Sequence, residues 1–150
     1  MIRWLFAMMA AGVVITSGVA LAEKGAKAPE AKCPVSGEAI SKDASIDYKG
    51  GKLYFCCPAC KAKFEKDKAK LAAKANEQLV VTGQAVQKAC PLTDRKVNAS
   101  TAIVVDGVKV AFCCNGCKGK VTAQKPAEQI ETVFGDKAFD KAFQVKTASK

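Results

Sequence analysis

The chain has 150 residues, with 24 basic and 14 acidic side chains, eight cysteines and no histidine. That length suits one domain or two very small ones. A net charge of +10 built almost wholly from lysine argues against nucleic-acid reading, which favours arginine forks and stacking aromatics. Nothing in the sequence arranges a nucleophile, a base and an orienting group together, so an enzyme is not expected.

The chain opens with "MIRWLFAMMAAGVVITSGVALAEKG". Arg3 is followed by an apolar run from Trp4 to Ile15, and Ala20-Leu21-Ala22 forms a small-residue cleavage site, the order of a secretory signal peptide over 1–22. Cleavage removes one base and no acid, so +10 becomes about +9 for an exported chain, expected in the bacterial periplasm or elsewhere outside the cytoplasm. The competing reading is an uncleaved membrane anchor, because Trp4–Ala22 is just long enough to span a bilayer. The lysines read as a solvated face, with weak attraction to anionic polymers or lipid heads as the alternative.

Residues 23–32 read as a Lys/Ala/Pro linker. Cys33-Pro34 then starts a tight turn, and "SIDY" and "KLYF" flank Lys49-Gly50-Gly51 as a β-hairpin. A helix follows, with Cys60, Phe64, Leu71 and Ala75 at helical spacing, to close a first module over 33–77. Residues 78–89 are expected to link the modules, with Leu79-Val80-Val81-Thr82 as a candidate strand. A second module, 90–146, starts with another Cys-Pro turn and a hairpin of "AIVV" and "KVAF" around Asp106-Gly107. Its helix should break or restart at Pro126 and end at Gly135, and "DKAFDKAF" should place Phe139 and Phe143 on one face of a last helix.

The two modules are one pattern written twice. Shifted by 57 positions, Cys33, Cys56, Cys57 and Cys60 fall on Cys90, Cys113, Cys114 and Cys117 with no gap, which points to a duplicated unit. The expected fold class is therefore α+β: two tandem ββα cysteine-rich modules after a signal peptide. Units this small have marginal cores and need a metal, disulfides or a partner to stay folded.

Strand alternation sends Cys56 and Cys57 to opposite faces, so one of the pair meets Cys60 near the helix start while Cys33 arrives from the turn. The exposed N–H groups of a helix start favour thiolates, and Lys61, Lys63, Lys118 and Lys120 are candidates to offset their charge. An all-sulfur site suits zinc or copper(I) rather than calcium or magnesium. Two alternatives stay open. An even cysteine count in an exported chain also fits disulfides, as part of a structural or interaction module. Cys57 with Cys60, or Cys114 with Cys117, also has the spacing of a thiol-redox pair.

The stretch "CPVSGEAI…YKGGKLYFCCPACKAKF" resembles the YHS domain and the related TRASH domain, small treble-clef-like modules associated with heavy-metal trafficking, resistance and sensing. The second copy resembles them over 90–121, without the tyrosines and the helix phenylalanine. The resemblance implies metal ligands at Cys33, Cys56 and Cys60, and at Cys90, Cys113 and Cys117. Many such domains have a further cysteine in the turn, where this chain has Ser36 and Thr93. Cys57 and Cys114 are then candidates for the fourth position, alongside water or an incoming thiol. The function expected is binding of a soft metal ion, with no protein partner indicated.

Overall fold

The computed structural model describes residues 30–146, so the expected signal peptide and residues 23–29 of the expected linker lie outside the described residues. The architecture is mixed α+β, with both halves built in the expected order. Cys33 opens a turn closed by Gly37 N–H donating to the Cys33 carbonyl at 2.8 Å, and the Cys33 N–H donates to the Glu38 carbonyl, also at 2.8 Å. Strands β1 (Ser41–Tyr48) and β2 (Gly51–Phe55) form an antiparallel hairpin. Helix α1 (Pro58–Lys66) starts beyond the cysteine pair, with proline in its first turn, where a missing N–H costs nothing. After Asp67, α2 (Lys68–Val81) follows, then β3 (Ala85–Gln87).

The second half repeats the scheme with β4 (Asn98–Val105), β5 (Val108–Phe112) and α3 (Asn115–Thr122), then α4 (Pro126–Phe134), α5 (Asp136–Ala142) and β6 (Phe143–Val145). Pro126 restarts the helix and Gly135 caps α4, as the sequence predicts. Both hairpins turn through two residues of positive φ, Lys49 (50°) and Gly50 (84°) in one and Asp106 (45°) and Gly107 (85°) in the other. Such turns match the twist of the strands they join. The Cys-Pro turns also agree: Gly37 (77°) and Asp94 (59°) share the left-handed region, which glycine and aspartate tolerate best.

Two expectations are corrected. Leu79-Val80-Val81 is the last turn of α2 and not a strand, because Ala72, Ala73, Ala75, Asn76 and Leu79 form a continuous buried helical stripe. The strand of this segment comes later, at β3, and pairs antiparallel with β6. Residues 78–89 thus hold packed structure, with Leu79 and Ala85 in the core. Likewise α5 stops at Ala142, and Phe143 opposes Gln87 in the β3–β6 pair. Its ring still stacks on Phe139, with centroids 5.3 Å apart.

The core has two centres. Leu53, Phe55, Phe64 and Ala75 fill the first half, with Cys33 among them. The other combines Val110, Phe112, Val121, Phe134 and Phe139 with Ala73, Leu79 and Ala85 from the first half. Helix α2 packs on α4 and α5, so the halves share a core. Among the described residues no helix is long and apolar enough to cross a membrane.

Each hairpin leaves a strand edge unpaired, and glutamine side chains take the missing partner's place. Gln78 accepts from the Tyr54 N–H at 2.7 Å and donates to the Tyr54 carbonyl at 2.8 Å and the Lys32 carbonyl at 2.7 Å. Gln84 clamps the backbone of Lys52 in the same two-handed way, at 2.6 and 2.7 Å. Gln87 does so for Ala111, at 2.6 and 2.9 Å. Tyr54 and Ala111 are equivalent positions in the repeat, two residues before the cysteine pairs. The glutamines therefore satisfy edge groups and hold the strand ends that deliver the cysteines.

Candidate metal centre

Three chain segments converge at each cysteine group. The Cys-Pro turn supplies Cys33, the end of β2 supplies Cys56, and the first turn of α1 supplies Cys60. In the second half the same parts supply Cys90, Cys113 and Cys117. Within each triad the three sulfur atoms all lie within 4.8 Å of one another, close enough to hold a metal ion. The Cys56–Cys60 separation is 3.5 Å and the Cys113–Cys117 separation 3.6 Å. A tetrahedral ion with sulfur bonds of about 2.3 Å sets its ligands about 3.8 Å apart, so the spacing suits a soft cation. All eight cysteines are free thiols.

Cys57 and Cys114 lie outside the triads, as strand alternation predicts for one member of each pair. Each nevertheless approaches its neighbour, with Cys57 Sγ 3.7 Å from Cys56 Sγ and Cys114 Sγ 3.8 Å from Cys113 Sγ. The hydroxyls that replace a turn cysteine also sit at the sulfurs: Ser36 Oγ is 3.3 Å from Cys56 Sγ, and Thr93 Oγ1 is 3.2 Å from Cys113 Sγ. A hydroxyl there can donate to a thiolate and lower its energy. In the sequence Ser36 and Thr93 mark only the place of a missing turn cysteine; their spacing from the cysteines was the available signal for this supporting role.

The proton affinities within each group are pushed apart. Burial opposes ionisation of Cys33, yet the Ser36 hydroxyl and the backbone N–H groups of Ser36, Cys56 and Val35 draw it down to about 7. Cys90 is likewise about 7, with burial overcome by the Thr93 hydroxyl and the N–H groups of Cys113, Leu92 and Thr93. Cys60 is pushed up to about 12, first by its hydrogen bond to Cys56 and then by burial, and Cys117 to about 12, first by burial and then by Cys113. Such a split is expected where several thiolates share one small space: some ionise readily and another keeps its proton. A cation at the centre would let all three ionise. The main groups favouring ionised sulfur here are hydroxyls and backbone N–H groups, rather than the nominated Lys61, Lys63, Lys118 and Lys120.

Comparison of this chain with family models, with curated proteins and with solved structures gave no match in any of the three.

Proposed function

We propose that this is an exported protein that binds soft metal ions, zinc or copper(I), one per cysteine triad, for trafficking or buffering outside the cytoplasm. We read it as a binding protein and not a catalyst. The observation that supports this most is the convergence of three thiols from three separate segments, repeated in both halves at nearly the same spacing. The likeness of the cysteine pattern to YHS and TRASH domains supports the same reading, and the order of residues 1–22 supports export. Cys33, Cys56 and Cys60 would hold one ion, and Cys90, Cys113 and Cys117 the other.

A second reading is favoured by the near-complete burial of Cys33 (1% exposed) and Cys90 (0%). In it the ion is a permanent staple for two small cores and is not handed on. Intact mass spectrometry of the periplasmically produced protein, native and denatured, tests the binding claim. The expected result is the added mass of two ions in the native spectrum, lost on acidification, with eight alkylatable thiols afterwards. A mass deficit of two hydrogens per cysteine pair with no ion would overturn it. Isotope exchange of the bound ion then separates carrier from staple.

A further inference from the structure

One cysteine in each half is left unexplained by the triads. Cys57 and Cys114 occupy the same place in the repeat, in extended backbone just before α1 and α3. Neither is accounted for by folding. Neither makes a side-chain hydrogen bond capping its helix, and neither belongs to a hydrophobic core, whereas Cys56, Cys60, Cys113 and Cys117 do. Their surroundings have also diverged, Pro58-Ala59 in one half against Asn115-Gly116 in the other. The sulfur-to-sulfur approach is nevertheless the same in both, 3.7 Å to Cys56 and 3.8 Å to Cys113.

The sulfurs differ in exposure. Cys33, Cys90 and Cys117 are buried, Cys56, Cys57, Cys60 and Cys113 are half-buried, and Cys114 is exposed. In each half the three triad sulfurs cluster together, and the remaining thiol lies beside the cluster, within reach of Cys56 in one half and of Cys113 in the other. An ion held by three clustered thiols, one of them almost fully buried in each half, leaves slowly unless a further ligand can approach before an old one departs. The outer thiol offers that approach.

We propose that Cys57 and Cys114 are exchange thiols, through which a soft cation passes between each triad and a thiol-bearing donor or acceptor molecule. The inference rests on the metal-binding reading above. On entry, the outer thiol gives its proton to water and bonds the cation, while the carrier's thiolate releases it and takes up a proton. The three triad thiols then give their protons to water and bond in turn, displacing any sulfur the carrier still contributes, which takes up a proton, and the outer sulfur lets go and is reprotonated. No electron is transferred.

The test loads the full chain anaerobically with Zn²⁺ or with Cu(I), takes whichever ion it retains through gel filtration, and times transfer to a chromogenic chelator. The C57S/C114S variant should transfer at least tenfold more slowly than wild type. The single variants should each slow one of the two ions, giving two phases. C33S/C90S should move the opposite way and lose its ions faster. Transfer from C57S/C114S at the wild-type rate would make the outer sulfurs bystanders, and faster transfer would make them permanent ligands; either overturns the proposal. A wild-type chain that retains neither ion would overturn the metal reading itself, and this is seen at the gel-filtration step before any rate is measured.

Discussion

The two halves keep the same sulfur frame and fill it differently. Tyr48, Phe55 and Phe64 pack together in the first half, with Phe64 5.6 Å from Tyr48 and 5.5 Å from Phe55 between ring centroids. The equivalent positions in the second are Val105, Phe112 and Val121, and its other aromatics, Phe134, Phe139 and Phe143, come from the C-terminal helices and β6. The hairpin turns differ more sharply. Lys49 reaches the other half and pairs with Asp136 at 2.9 Å and Asp140 at 2.6 Å, over the ring of Phe139. Its counterpart, Asp106, meets another carboxyl group, Glu77 of α2, in a cleft of about 280 Å³ that Lys32 and Lys74 also line. Core residues and cross-contacts have thus changed freely between the copies, while the spacing of the four cysteines and the backbone elements that carry them have not. The sulfur cluster is the constrained part.

The comparison can be broken most severely at its aromatic centre. Phe64→Ala should cost about 4 kcal/mol, because a fully buried ring leaves a cavity, whereas Val121→Ala should cost about 2 kcal/mol. Urea denaturation of the two variants checks the order. Next comes the glutamine clamp: Gln78→Ala removes a buried side chain and leaves the half-buried backbone groups of Tyr54 without that partner, which should cost about 2–3 kcal/mol, and Gln87→Ala, where the side chain itself is half-buried, should cost about 1 kcal/mol. Both should also loosen the local triad, read as faster alkylation of Cys56 in the first variant and Cys113 in the second.

The Glu77–Asp106 contact carries a pH dependence of definite sign. Burial, and then Asp106, push Glu77 up from 4.5 to about 8, against the pull of Lys74 and Lys32. The folded value lies above the unfolded one, so this stabilisation belongs to the protonated form. It is complete below about pH 4.5 and lost as the pH rises through about 8. Between those limits wild type should lose on the order of 2 kcal/mol relative to Glu77→Gln, once solvent access to the cleft is allowed for. Thermal melts of both proteins at about pH 5 and about pH 9 measure the difference. A gap that does not change with pH would remove Asp106 and Glu77 from the account. The smallest effect sharpens the contrast: Lys49→Ala should cost about 1 kcal/mol and do so less at high salt, since the pair is partly exposed.

Much of this organisation was legible because it is local. Two glycine-containing turns between apolar runs predict the hairpins, Pro126 and Gly135 predict the ends of α4, and alternation predicts that one cysteine of each pair turns away. Leu79-Val80-Val81 looked like a strand from its composition, but a buried stripe starting at Ala72, about two turns earlier, keeps it helical. The β3–β6 pair joins three-residue strands almost sixty positions apart, and no local pattern announces such a pairing. Nor does a glutamine reveal that it will clamp a strand edge; "NEQLVVTGQAVQKA" holds three of them in a segment that reads as a polar connector. The repeat singled out the same four cysteines twice, and the resemblance to YHS and TRASH domains implied which three of them in each half form a triad.

X-ray absorption at the metal edge of the loaded, full-length protein tests the central claim most directly. The account predicts two ions per chain, each with a first shell of at least three sulfurs at about 2.3 Å. A shell dominated by oxygen or nitrogen, or a chain that takes up no ion with all eight thiols reduced, would contradict it.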